Sequence, residues 1–299
     1  MTDIRLLVDA NNHLGEGPLW DVEEERLYWI DSTAAEIYNC RADGSDVRRY
    51  FVPRHIGSMA LRKGGGAVVA LANGLHFYDF DAQSVELIGD PEHDEPETRF
   101  NDGKVDRRGR FIAGTMAYDF DRYDADRGQR PTRSGGLYRL DPDRTITRLD
   151  GGISCSNGPC WSPDNRTLYF TDTYDRQMYR YDYDIETGAA TNRRVFASAR
   201  DTAGTFDGAT VDSDGYVWTA LVFGGRILRF APDGKLDRVV PPVRNLTSVM
   251  FGGPNLDVLY VTTMGRPMWG IPQKEREKGG LFAVRGLGVR GLPEPRFGG

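Results

Sequence analysis

A short strand of small and apolar residues, a polar turn, and a strand rich in β-branched and aromatic residues recur six times along this 299-residue chain. The phrase reads GEGPLWDVEEERLYWID from Gly15, SNGPCWSPDNRTLYFTD from Ser156 and FDGATVDSDGYVWTA from Phe206. Equivalent starts fall near Glu16, Ser58, Asn101, Asn157, Asp207 and Ser248, roughly 40 to 56 residues apart. That is the length of one four-stranded propeller blade. A third strand with alternating aromatics follows in each unit, as in IYNC, LHFYDF, GLYRLD, MYRYDY, ILRFAP and LFAV. Short alternating runs bounded by Gly, Asp, Asn and Pro are the signature of strands and hairpins.

These repeats predict an all-β fold, a six-bladed β-propeller with four-stranded blades around a central channel, and residues 1–299 as a single domain. A β-sandwich needs fewer strands and does not repeat six times. An α/β fold needs helical crossovers, and no segment sustains a helical period. A solenoid of stacked units is the remaining alternative, but blade-length units favour radial closure. The N-terminal run IRLLVDA is expected to supply the outer strand of the last blade, closing the ring between the two ends of the chain. Thirty-six glycines and sixteen prolines suit so many tight turns.

In a propeller the first strand of each blade lines the channel and successive strands alternate in direction. The start of every first strand therefore shares one face with the connection between the second and third strands. Glu16, Asn101, Asn157 and Asp207 all open first strands, so their side chains can converge on that mouth. Two long second-to-third connections, Tyr118 to Ser134 and Gly265 to Lys278, are expected to overhang it, as binding loops do. Glu16, Asn157 and Asp207, read as one fixed position of the repeated phrase, offer two carboxylates and an amide carbonyl. Converging hard oxygen donors are costly unless a cation neutralises them. With no Cys or His among them the set suits Ca²⁺, Mg²⁺ or Mn²⁺ better than a closed zinc site. Three protein ligands leave positions open for water and substrate.

GEGPLWD at Gly15, RFNDGKVDRRGRFIAGTM at Arg99, SNGPCWSPDNRTLYFTDT at Ser156 and FDGATVDSDGYVWTAL at Phe206 together resemble the regucalcin (senescence marker protein) and gluconolactonase family. The resemblance runs from about Leu14 to Thr263. It implies a six-bladed propeller that hydrolyses sugar lactones with one divalent cation, Ca²⁺ ahead of Mn²⁺, Mg²⁺, Zn²⁺ or Fe²⁺. Carried over motif by motif, it implies Glu16, Asn157 and Asp207 as metal ligands and Asp207 as the general base. It further implies Arg99 and Asn101 as substrate-hydroxyl contacts. The family's acidic substrate contact, often Glu, lies shortly after AGTM and falls on Asp119. This side chain is one methylene shorter, and Asp121 is close by in sequence. The expected activity is hydrolysis of a hexono- or pentonolactone to the sugar acid. Two other readings stay open: a phosphotriesterase-like hydrolase, and a non-catalytic calcium-binding propeller.

A net charge of −6 argues against a nucleic-acid partner. No stretch approaches the roughly 18 apolar residues of a membrane span. Cys40, Cys155 and Cys160 are odd in number and lack metal-type spacing, as reduced thiols of a cytoplasmic protein would be. The N-terminus carries Asp3 and no long apolar run, so a secretory signal is not expected. His13, His55, His76 and His93 form no metal-binding pair, with His93 the one nearest a site motif. Asp212-Ser-Asp214-Gly resembles the start of a calcium loop but reads better as a hairpin turn. Arg122, Arg127, Arg130 and Arg133 in the first long connection could favour a lactone with an acidic substituent, although arginine-rich loops are more often simply solvated.

Overall fold

A computed structural model describes residues 2–117, 133–240, 243–265 and 278–299, and every regular element among them is a strand. The strands form six four-stranded antiparallel sheets. Five are meanders in chain order, spanning Gly15–Phe51 (blade 1), Ile56–Gly89 (blade 2), Thr98–Ile153 (blade 3), Ser156–Ser198 (blade 4) and Thr205–Val240 (blade 5). Blade 6 takes its three inner strands from Leu246–Arg285 and its outermost strand from Asp3–Val8. Asp3 pairs with Arg285 and Leu6 with Phe282 across that seam. The ring is therefore closed by the two ends of the chain, as the IRLLVDA run led us to expect. The architecture is a six-bladed β-propeller.

The inner strands are almost wholly buried while the outer ones are mostly half-buried or exposed, as a radial stack of sheets demands. Apolar side chains of neighbouring blades interdigitate between the sheets. Val68, Phe77, Phe100, Phe111 and Tyr138, for example, form one cluster shared by blades 2 and 3. Burying each such aromatic stabilises by about 1.5–3 kcal/mol. Hydroxyls stitch consecutive inner strands near the mouth: Ser58 Oγ donates to the Asn101 carbonyl at 2.8 Å, and Thr247 Oγ1 of blade 6 donates to the Gly15 carbonyl of blade 1.

Every inner strand carries one extra residue where it passes the mouth. Glu16 pairs with Ile30 and Leu19 with Tyr28, so Gly17 and Pro18 together face one partner residue. Asn157 and Cys160 pair in the same way with Thr171 and Tyr169. In blades 3 and 5 the last paired residues are Phe100 and Phe206, and pairing resumes at Gly103 and Ala209. The bulges correct the expectation of one fixed position. Glu16 and Asn157 are the last paired residues before their bulges, whereas Asn101 and Asp207 are the first residues inside theirs. The glycines that follow Glu16, Asn157 and Asp207 differ accordingly, Gly208 lacking the positive φ of the other two. Gly17 and Gly158 take positive φ, at 53° and 56°, the left-handed region that favours glycine.

The Asp212 turn is a hairpin turn, as expected. The Asp212 carboxylate is buried and accepts the backbone N–H groups of Asp214 and Tyr216, the Trp218 Nε1–H at 2.8 Å and the Arg229 guanidinium. Beyond Arg285 the chain crosses the face opposite the mouth, an element the repeats do not announce. The Arg290 carbonyl accepts from Ser213 of blade 5, and Gly291 N–H donates to Leu256 of blade 6. Arg296 pairs with Asp21 of blade 1, Phe297 N–H donates to Leu61 of blade 2, and Gly298 N–H donates to Gly109 of blade 3. Phe297 is fully buried against Phe77. Glu294 and Pro295 line the lower channel together with Asp102 and Lys104.

Candidate active site

The strand starts of blades 1, 3, 4 and 5 meet at the mouth. Asn101 Nδ2 donates to Asn157 Oδ1 at 3.0 Å and to the Ser156 carbonyl at 2.8 Å, joining blade 3 to blade 4. Arg99 Nη1 donates to Asn101 Oδ1 at 3.0 Å. Asn157 Nδ2 donates to Thr173 Oγ1 at 2.7 Å, and that hydroxyl spends its own proton on the Phe206 carbonyl at 3.0 Å, beside Asp207 in blade 5. Because Thr173 can only accept from Asn157, the amide is held one way round, with its oxygen turned from Thr173 toward Asn101. The same reasoning fixes Asn101, whose nitrogen must face the Ser156 carbonyl. Arg99, Asn157 and Asp207 are buried; Glu16 and Asn101 are partly open.

Three carboxylates share this space. Burial pushes Glu16 well above the usual carboxylate range, and repulsion from Asp207 and Asp102 adds to it against the Gly17 N–H and Arg99. Burial likewise pushes Asp207 well up, with Asp102 adding and the Gly208 N–H opposing. Asp102 is raised by burial too, held back by Lys104 and the N–H groups of Gly158 and Gly103. Carboxyls crowded in this way bind either a proton or a cation. Among the described residues no three His, Cys, Asp or Glu side chains group as metal ligands. The donor set that fits a hard divalent ion is instead two carboxylates, Glu16 and Asp207, with the amide oxygen of Asn157.

Of the residues singled out in the sequence, Arg99, Asn101 and Asn157 are joined directly, and Glu16 and Asp207 lie near enough to repel. Asp119 and Asp121 lie outside the described residues, as do Arg122, Arg127, Arg130 and most of both long connections. Arg133 ion-pairs with Asp175, which also binds Arg200 and accepts the Tyr179 hydroxyl. His93 is exposed and pairs with Asp94 at 3.1 Å. Beside Arg99, between blades 2 and 3, it lines a cavity of about 220 Å³ with Asp90, Glu92, Glu95 and Thr115. Cys155 and Cys160 are buried and free, and burial pushes the Cys160 thiol up to about 12.

Residues 14–265 match the profile of the SMP-30/Gluconolactonase/LRE-like region. The chain belongs to this family. It is 36% identical over 303 aligned positions to the regucalcin of Xenopus laevis, covering 99% of this chain and 98% of that one. It is 35% identical to the 6-deoxy-6-sulfogluconolactonase of Pseudomonas putida, covering 99% of each. Among solved structures, the calcium-binding protein regucalcin from Agrobacterium tumefaciens superposes with a TM-score of 0.86 at 26% identity, over 99% of this chain and 97% of that one.

Within this SMP-30/gluconolactonase chain, sequence reasoning passed over Thr173, Asp102, Lys104 and Glu92. Thr173 orients Asn157, yet it sits in the turn directly after a second strand, where a Thr reads as an ordinary strand-end residue. Asp102 and Lys104 stood in view within the RFNDGK text. Their channel-facing role depends on the bulge, which reverses the alternation expected of a regular strand. Glu92 accepts from Thr115 Oγ1 at 2.9 Å and the Tyr138 hydroxyl at 2.8 Å, a long-range contact without a local signal.

Proposed function

We propose that this protein is a divalent-cation-dependent lactonase that hydrolyses an aldono-lactone to the corresponding sugar acid. The observation that carries the reading is the hydrogen-bonded chain Arg99–Asn101–Asn157–Thr173, drawn from adjacent blades and set beside the crowded Glu16 and Asp207 carboxylates. Family membership, a lactonase among the relatives and a calcium-binding regucalcin among the structural neighbours support it.

In this reading Glu16, Asn157 and Asp207 hold one divalent cation, Ca²⁺ before the other candidates. Such an ion polarises an ester carbonyl and lowers the pKa of water beside it. Arg99 through its guanidinium and Asn101 through its amide oxygen would contact the ring hydroxyls and set the face of the lactone that meets Asp207. Asp207 takes the proton of the attacking water at its carboxylate and returns it to the departing ring oxygen. Asp119 is assigned the remaining substrate contact from the family motif. The acidic lining beside Arg99 would disfavour a lactone bearing an anionic substituent there. The whole chain, 1–299, acts as one domain, and its three buried free thiols accord with a cytoplasmic setting. Among the described residues no helix is long and apolar enough to cross a membrane.

The test is turnover of glucono-, galactono-, xylono- and arabinonolactone beside a phosphotriester, with and without chelator. We expect lactone opening that EDTA abolishes and Ca²⁺ or Mn²⁺ restores, and a loss of roughly 10²–10⁴-fold in kcat for Asp207→Asn with the fold intact. Phosphotriester turnover alone, or cation binding without any turnover, would overturn the reading.

A further inference from the structure

Beyond Asn101 the inner strand of blade 3 carries two charged side chains that line the channel, Asp102 close enough to Glu16 and Asp207 to repel them and Lys104 two residues further on. Both are buried. The Asp102 carboxylate accepts the Gly103 N–H through Oδ1 at 2.8 Å and the Gly158 N–H through Oδ2 at 2.8 Å. Gly158 is the positive-φ bulge residue that follows Asn157. Lys104 Nζ donates to the carbonyl of Ala209, the residue at which blade 5 resumes pairing after the Asp207 bulge. One strand thus grips the backbone of two neighbouring bulges, and each carries a residue assigned to the cation.

Bulge residues forgo part of their own ladder and need partners from elsewhere. Burying an ion is expensive unless its charge and hydrogen bonds are satisfied. Asp102 and Lys104 offset one another, and each makes a charge-assisted bond to backbone, which is shorter and stronger than a neutral one. A fold in need of mere filling could use Leu or Met at these two positions. What the charges add is a fixed spacing between the Asn157 and Asp207 bulges.

We propose that Asp102 and Lys104 are positioning residues for the cation site, locking the Asn157 and Asp207 bulges from the channel side. The proposal rests on Glu16, Asn157 and Asp207 being the ligands. Its discriminating feature is a sign. Were Lys104 only a nearby positive charge, its removal would tighten cation binding; as a positioning residue, its removal loosens it.

Mn²⁺ titrations followed by electron paramagnetic resonance, on the full chain and on Asp102→Asn, Lys104→Met and Lys104→Arg, test this directly. We expect one Mn²⁺ per wild-type chain, binding at least tenfold weaker in Asp102→Asn and Lys104→Met, and recovery to within about threefold in Lys104→Arg. Amide hydrogen exchange in the metal-free protein supplies the second readout. Residues 156–161 should exchange at least tenfold faster in Asp102→Asn, and residues 206–211 in Lys104→Met. Folded variants that bind Mn²⁺ as wild type does, with unchanged exchange, would overturn the proposal and leave the ligand set standing. Tighter binding in Lys104→Met would overturn it as well. No Mn²⁺ uptake by the wild type overturns the ligand set itself. Should the neutral variants not fold, Asp102→Glu replaces them, and its expected result is weaker Mn²⁺ binding with faster exchange at Gly158.

Discussion

At the scale of single residues, the site is a problem of orienting two amides beside two carboxylates. An amide has an acceptor end and a donor end of nearly equal shape, so its environment must choose between them. Thr173 chooses for Asn157, because its only proton goes to the Phe206 carbonyl and it can only accept from the amide. Replacing Thr173 by Val keeps the shape and removes that choice. A lost hydrogen bond of about 1 kcal/mol corresponds to roughly fivefold weaker Ca²⁺ binding, readable by isothermal titration calorimetry. Unchanged affinity would show that Asn157 is held by Asn101 alone.

At the scale of elements, the bulge in each inner strand and the C-terminal crossing segment divide the labour. The bulge at Gly158 has no room for a side chain: a Cβ there would stand 2.9 Å from the Asp207 carbonyl and 2.9 Å from Ala209 Cβ, on a backbone at φ 56°. Gly158→Ala should cost about 1–3 kcal/mol of stability from backbone strain, seen as a lowered urea midpoint, and should weaken cation binding because the Asp207 backbone must move. The crossing segment lies on the opposite face and acts on the ring as a whole. Phe297→Ala empties a fully buried ring site and should cost about 3–5 kcal/mol. Because Phe297 lies far from the mouth, KM for the lactone should hardly move. A stability loss below 1 kcal/mol would mean that the segment is not fastened there.

For the whole molecule, the crowded carboxylates link folding to pH and to cations. Glu16, Asp207 and Asp102 hold protons more tightly in the folded chain than in the unfolded one. The folded state therefore binds more protons, and stability falls as pH rises from the ordinary carboxylate range through the raised folded values. A cation that binds only the folded chain offsets the repulsion and stabilises by mass action. The difference in Tm between calcium-loaded and EDTA-treated protein should consequently widen from pH 5 to pH 8. Tm values that run parallel across that range would contradict the placement of these groups in one shared space.

How much was legible in the chain itself follows from what kind of signal each feature leaves. Six blade-length repeats, the closing N-terminal strand and the hairpin at Asp212 are written in local alternation and turn residues, and local physics suffices to read them. Glu16, Asn101, Asn157 and Asp207 could be picked out locally as openers of first strands, whereas Arg99 and the roles proposed for all five came from the family resemblance. The register could not be picked out: a bulge moves Asn101 and Asp207 one step relative to Glu16 and Asn157, and it exists only once a second strand is paired alongside. Thr173, Asp102 and Lys104, and the tail that crosses the lower face, act across blades through contacts remote in sequence. No local pattern encodes such contacts, since they arise only when the closed ring brings distant backbone within hydrogen-bond reach.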